Sequence, residues 1–255
     1  MAPLEEPLLR RARPVGETKM SGVWHSVLFF LFLAYVQATC FLCTCLLVLG
    51  FSISQGWLTA HYLTLLRTKY ATTTASHPVM SDSEGPVMYL ANHRSWGDFW
   101  TDVALLGGPC VVARRLVAVA VPASAAFGLL EGRIWLFDRR KKHSGGTTAF
   151  FAEFYKRCRS CCLDKGVIVY PEGTRNREPR GFPLKPGGLA VAYRLGWPVQ
   201  VVISTNKEMV TDEIKGRLGF GVTVVTAVSA PFMPSDFDSS DAFIEAVKTA
   251  WGNMW

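Results

Sequence analysis

The sequence predicts an α/β fold, a mixed sheet covered by helices, preceded by an N-terminal membrane-anchoring helical segment. Three observations carry that prediction. No Asp, Glu, Lys or Arg occurs between Met20 and Leu66. Beyond residue 86, short apolar runs alternate with longer amphipathic stretches, as strands feeding helices do. Two of those runs break off in polar turns, Asn92-His93-Arg94-Ser95-Trp96-Gly97-Asp98 and Pro171-Glu172-Gly173-Thr174-Arg175. In open α/β sheets, ligands bind at such strand ends.

Length and charge set the outer bounds. A chain of 255 residues allows one sizeable domain and an appendage. A net charge of +7 with 49% apolar residues, a pI near 9.1 and a mean hydropathy of +0.20 suit a basic protein seated on an anionic membrane. Nucleic acid is the other partner that such charge invites. The sequence has neither zinc-finger spacing nor an aromatic RNA-binding motif, so no nucleic acid is expected.

Residues 1–20 form a polar tail and 21–70 the anchor, either one span or a hairpin, followed by an interfacial helix. The apolar centre runs from Val27 to Ile53. About 20 apolar residues cross a bilayer, and a cleaved signal peptide has an apolar region of only about 7–15. Gly50, Ser52, Ser54, Gln55 and Gly56 loosen the pattern, and Trp57, Tyr62 and Leu65-Leu66 suit a membrane interface. Basic residues flank both sides, so the orientation stays open. Residues 71–85, rich in Thr and Ser, read as a linker into a domain at 86–255.

The seven cysteines follow no secretory spacing, which points to a reducing compartment. Cys40, Cys43 and Cys45 sit in the apolar stretch as small apolar residues. Cys158, Cys161 and Cys162 resemble half a zinc site, with no second pair to complete four ligands, so no metal is expected. Plain thiols are favoured over palmitoylation at Cys161 or Cys162.

In the domain, a strand is expected at 86–91 and a helix near 96–106, then Val111-Val112. An Ala-rich stretch at 114–130 reads as helical on either side of Pro122, and a strand covers Ile134–Phe137. A helix from about 147 to 161 precedes a strand at 167–170. A helix at 187–195, a strand at 199–204 and a late strand at Val222–Val228 follow. The final helix starts at Ser240, with Phe243, Val247 and Trp251 on one face.

The first polar turn carries the chemistry. Ser95 reads as a helix N-cap, with Asp98 in the first turn and Phe99, Trp100, Val103 and Leu106 as the buried stripe. Within one continuous helix, residues at the spacing of His93 and Asp98 point about 140° apart. With His93 in the turn before the helix, the carboxylate folds back onto the ring. It then fixes the tautomer and leaves the other nitrogen to take a proton. A capping-box acid beside an ordinary turn histidine is the alternative. In the second turn, Pro171 stops the ladder and Gly173 frees the backbone, delivering Glu172 and Arg175 at the strand end. The planar fork of an Arg suits a phosphate, and an ordinary surface turn is the alternative for this stretch taken alone.

Together, Asn-His-x4-Asp after one strand and Pro-Glu-Gly-Thr-Arg after another resemble the glycerophospholipid acyltransferase superfamily. Within it they look most like the 1-acyl-sn-glycerol-3-phosphate (lysophosphatidate) acyltransferases. The resemblance covers roughly residues 80–252. Ala113-Arg114-Arg115-Leu116, Pro122 and Leu136-Phe137-Asp138-Arg139 resemble that family's second block, which ends in a phosphate-binding Arg. Phe182-Pro183-Leu184-Lys185-Pro186-Gly187 resembles its Lys-x-Gly loop. Two departures stand out: the gap from Gly132 to Arg139 is one residue longer, and Val201 occupies the place of a strand proline.

The resemblance implies transfer of a fatty acyl group from acyl-CoA, or an acyl carrier protein, to the free hydroxyl of a lysophospholipid. Lysophosphatidate is the foremost acceptor, because Arg175 follows Glu-Gly-Thr. His93 would be the general base and Asp98 its orienting partner. Arg139, Glu172, Gly173, Thr174 and Arg175 would bind the glycerol phosphate. Acyl-CoA enters as a donor substrate, no cofactor is implied, and membrane lipid is the remaining partner. The expected place is a membrane, in a eukaryote the endoplasmic reticulum, with the domain on the cytoplasmic side. An imidazole titrates near pH 6.5, so it is largely neutral at cell pH. A thioester is already activated, and no Gly-x-Ser-x-Gly elbow for a covalent route occurs. The Arg139-Arg140-Lys141-Lys142-His143 run could meet CoA phosphates or anionic lipid; for all of it but Arg139, and for Arg114 and Arg115, a solvated basic turn is the other reading. Three further functions fit the same residues: a CoA-independent phospholipid transacylase, a remodelling acyltransferase for another lysophospholipid, and a non-catalytic membrane lipid-binding protein.

Overall fold

The computed structural model describes residues 22–80, 86–137, 149–154 and 166–255. The polar tail, the end of the expected linker, Arg139 through His143, and Cys158, Cys161 and Cys162 lie outside the described residues. The helix expected at 147–161 is described over 149–154, which are helical.

Nine strands are described: β1 (Lys69–Thr72), β2 (Met88–Ala91), β3 (Cys110–Arg114), β4 (Ile134–Phe137), β5 (Val167–Val169), β6 (Val199–Thr205), β7 (Thr211–Asp212), β8 (Arg217–Leu218) and β9 (Thr223–Val228). Seven form one sheet in the order β1-β9-β6-β2-β5-β3-β4, and β7 and β8 form a small hairpin. The β6–β9 pair is antiparallel and the other pairs of the main sheet are parallel, so the sheet is mixed. β2 and β6 are buried along their whole length, as strands covered on both faces must be.

Alternate side chains of β2 serve two layers. Met88 and Leu90 join Val167, Val199, Val201 and Ile203 against helices at Gly187–Leu195 and Ser240–Met254. Tyr89 and Ala91 join Ile168 and Val202 against the helix at Asp98–Leu105, through Val103 and Leu106. Phe243, Val247 and Trp251 of the last helix are all buried, on the expected face, and the Ser239 side chain accepts from the Ala242 N–H at its start.

Val201 also explains the missing proline. Its N–H donates to Ser229 Oγ (2.9 Å), a bond that proline cannot make. The expected linker is likewise more than a tether. β1 straddles its start and pairs with β9. Further along, the Met80 N–H donates to Gln200 Oε1 (2.8 Å). These residues are too few and too polar to show a strand period.

The first helix, Gly22–Val48, has 27 residues, roughly 40 Å at about 1.5 Å per residue. By length and composition, among the described residues it alone is long and apolar enough to cross a membrane. A stripe of Phe29, Phe32, Val36, Cys40, Cys43 and Leu47 packs onto the domain. Val23, Phe30, Leu31, Phe41, Leu42 and Val48 face outward. The second helix, Gln55–Leu65, returns to the domain through Leu58, Tyr62 and Leu63, with Trp57 exposed.

Candidate active site

β2 and β5 are parallel neighbours in the middle of the sheet, with Met88 opposite Val167 and Leu90 opposite Val169, so both deliver their polar turns at the same carboxyl end. The two turns are bonded together. The Asn176 N–H donates to the His93 carbonyl (2.6 Å), and the His93 N–H donates to Glu172 Oε2 (3.4 Å). The His93 ring lies on the Tyr170 ring, with centroids 4.4 Å apart and planes 23° apart.

His93 Nδ1 is 2.9 Å from Asp98 Oδ2. An ionised Asp98 accepts there from Nδ1–H, which assigns the lone pair to Nε2. Asp98 is fully buried and collects further donors: the Arg94 N–H, the Ser95 N–H (3.0 Å) and the Ser95 hydroxyl (3.1 Å). Ser95 differs slightly from the expected N-cap. The helix begins at Asp98, and Ser95 Oγ instead accepts from the Gly97 N–H (3.1 Å), closing a tight turn before the helix. Gly97 is required there, because a Cβ would run into the Thr211 side chain.

Behind the pair sits a buried cation. Lys207 Nζ donates to Asp102 Oδ2 (2.9 Å) and Oδ1 (3.1 Å), and to the Asn92 carbonyl (2.5 Å). It lies 4.0 Å from Asp98 Oδ2. Burial alone would raise the Asp98 carboxyl, but the Lys207 charge and the bond from His93 outweigh it and hold it below its ordinary value. For Asp102 burial wins, abetted by the Asp98 charge and opposed by Lys207, and the carboxyl is pushed up to about 6. The Tyr170 hydroxyl donates to Asp102 Oδ2 (3.0 Å). Burial and the two carboxylates push that phenol well up.

The second turn is arranged differently. Glu172 is buried and turned inward: one oxygen accepts from Asn176 Nδ2 (2.7 Å) and the Phe182 N–H (2.8 Å), the other from His93. It braces the two turns against each other and is not among the residues lining the cavity described below. Gly173, at φ +71°, makes the reversal that brings Thr174 and Arg175 round. Arg175 is paired with Glu213 and stands 5.8 Å from the centre of the Trp96 ring. Glu213 also takes Arg177 (3.4 Å) and the Trp96 N–H (3.3 Å). Arg114 donates to the Gly173 carbonyl (2.6 Å), so this guanidinium is committed to the turn. Arg139 lies outside the described residues.

A cavity of about 560 Å³ joins these groups. His93, Thr174, Arg175 and Glu213 supply polar lining, while Phe29, Phe32 and Leu33 of the first helix, with Val117, Val121 and Phe150, supply apolar lining. The size is that of a small-molecule site, about 300–1,000 Å³. An imidazole on a carboxylate, a guanidinium and an apolar chamber thus share one space.

Sequence reasoning missed Asp102, Lys207 and Glu213. Asp98 and Asp102 lie one helical turn apart on a buried face, and two acids so placed call for a cation. That signal was legible. Lys207 and Glu213 belong to a helical turn and hairpin at residues 207–218, where no period marks the elements.

Comparison with known proteins fits this geometry. The family model described as Acyltransferase matches residues 69–205. The chain is 26% identical over 149 residues to the 1-acyl-sn-glycerol-3-phosphate acyltransferase of Escherichia coli (strain K12), covering 58% of each chain. It is 26% identical over 120 residues to the putative 1-acyl-sn-glycerol-3-phosphate acyltransferase acl-2 of Caenorhabditis elegans, covering 47% of this chain and 41% of that one. These matches span less than two thirds of the relatives' length. In fold, the chain is similar to the crystal structure of the 1-acyl-sn-glycerophosphate (LPA) acyltransferase PlsC from Thermotoga maritima. The TM-score is 0.62 at 13% identity, over 91% of this chain and 95% of that one, a likeness of architecture alone. With more than half of its residues inside the family model, and both polar turns within that match, the chain belongs to the acyltransferase family.

Proposed function

We propose that the protein transfers a fatty acyl group from acyl-CoA to the free hydroxyl of a lysophospholipid, with lysophosphatidate as acceptor and phosphatidate as product. The observation that carries this reading is the contact of His93 Nδ1 with Asp98 Oδ2 at 2.9 Å, on a cavity that also holds Arg175 and an apolar chamber. His93 Nε2 takes the proton as the acceptor oxygen attacks the thioester carbonyl. The C–S bond then breaks, and the departing CoA thiolate collects that proton. Asp98 supports the ring while it is charged. A positioned base of this kind is worth about 10²–10⁴ in rate, and holding both substrates together adds to it.

Arg175 receives the acceptor's phosphate, which displaces Glu213 as its partner. Gly173 and Thr174 shape the wall, and Arg139 adds a second charge. The acyl chain lies along the apolar lining. The outward face of the first helix, with Leu116, Val119, Leu129 and Leu130 also exposed, sits in the bilayer where lysolipid and product reside. A basic surface gathers anionic lipid at about 1 kcal/mol per Lys or Arg.

The test is thiol release from acyl-CoA by the detergent-solubilised protein across a panel of lysophospholipids and glycerol 3-phosphate. Release should be fastest with lysophosphatidate. Silence across the whole panel would overturn the reading. Transfer from a phospholipid donor without CoA would replace it with a transacylase.

A further inference from the structure

We infer that Lys207 is a positioning residue for the His93–Asp98 pair: its ammonium, lodged between Asp102 and the Asn92 carbonyl, lets two buried carboxylates stay charged together and so keeps Asp98 a charged acceptor for the imidazole. The inference rests on the general-base reading above. Lys207 is fully buried, and a buried lysine keeps its charge only where anions and carbonyls replace water. Here it has both, at 2.9 Å from Asp102 and 2.5 Å from the Asn92 carbonyl. The Asn92 contact also pins the backbone just before His93.

Each neighbouring element adds a titratable group. The helix at Asp98–Leu105 offers the two carboxylates. The turn after β2 offers His93, and Arg94, which is engaged by Glu208 (2.6 Å). The turn after β5 offers Tyr170, whose ring centre lies 5.9 Å from Lys207 Nζ, and Glu172, bonded to its own loop and to the His93 N–H. β1 offers Tyr70, whose hydroxyl donates to the Thr101 carbonyl (2.9 Å). Among the described residues, Lys207 is thus the cation that faces both acids, apart from His93 itself when protonated. Without it, two like charges in a low-dielectric site share a proton. In the fraction of molecules whose proton sits on Asp98, His93 faces only a neutral acceptor, which supports its charged form far less.

Lys207→Met tests this, compared with the charge-balanced double variant Lys207→Met/Asp102→Asn, each checked for folding by circular dichroism. For the single variant, kcat at pH 7 should fall about tenfold or more. Its acid limb should move up by about one pH unit, and KM for the acceptor should change less than about twofold. A protonated-carboxyl infrared band, weak in the wild type at pH 7, should become several-fold stronger. In the double variant the band should vanish and the acid limb should return. A folded Lys207→Met with no such strengthening overturns the inference, as does a double variant that keeps the displaced limb. If the single variant does not fold, the double variant decides through its acid limb. If the wild type releases no thiol, the acyl-transfer reading falls while the infrared band still judges the lysine.

Discussion

The turns after β2 and β5 lie side by side yet are built to opposite specifications. At the first, Asp98 is fully buried and held by four donors from His93, Arg94 and Ser95, with Lys207 behind it. At the second, the Arg175 side chain is 39% exposed and held mainly by one ion pair with Glu213. Groups that move protons need fixed geometry. A group that must accept and release a phosphate needs a partner it can give up. Under the proposed function, the contrast separates a rigid half that moves a proton from an exchangeable half that binds phosphate.

The most damaging way to probe the contrast is His93→Ala. We expect kcat to fall by about 10²–10⁴, with the fold and membrane association retained. Turnover near the wild-type rate would remove the base from the mechanism. Next is Arg175→Ala, where the loss should appear in binding. Charge-assisted bonds of about 1.5–3 kcal/mol imply an apparent KM for lysophosphatidate raised about 10–100-fold. KM for acyl-CoA should hold steady, and a shift there instead would place Arg175 on the donor. Glu213→Gln should act in the opposite sense, lowering the acceptor KM about two- to fivefold by removing a competitor for Arg175. A raised KM would mean that Glu213 helps to hold the guanidinium in place.

The smallest effect is on stability. Asp102 titrates near 6 in the folded chain, against about 3.9 unfolded. Its native value is raised, so folding takes up a proton as pH falls from about 6 to about 4, and this group's contribution to stability grows over that window. Asp98, held low, does the reverse, losing its contribution as pH falls further. The Tm of the wild type should therefore gain on that of Asp102→Asn between pH 6 and pH 4. A constant difference between the two would show that Asp102 does not titrate there.

What the sequence disclosed follows the range of the forces. The helices at 187–195 and from Ser240 were legible because each buries one face of a 3.6-residue repeat. The strands at 134–137 and 167–169 were legible as apolar runs bounded by turn residues. The pairing of His93 with Asp98 could be anticipated because turn and helix are contiguous. The Arg175–Glu213 pair and the Lys207–Asp102 contact cross the carboxyl end of the sheet between segments with no shared period, so only the tertiary structure unites them. The short edge strand β1 was hidden for a related reason: β9, far along the chain, defines it more than its own four residues do.

Phe29, Phe32 and Leu33 line the chamber, while the opposite face of the first helix is apolar and exposed; under the proposed function that face meets lipid. Removing the residues up to Val48 to improve solubility would therefore unroof the chamber and, under the proposed function, untether the protein as well. On the same reading, water would then enter the space proposed for hydrocarbon, and the shortened protein should lose its grip on long acyl chains while its polar turns stay intact.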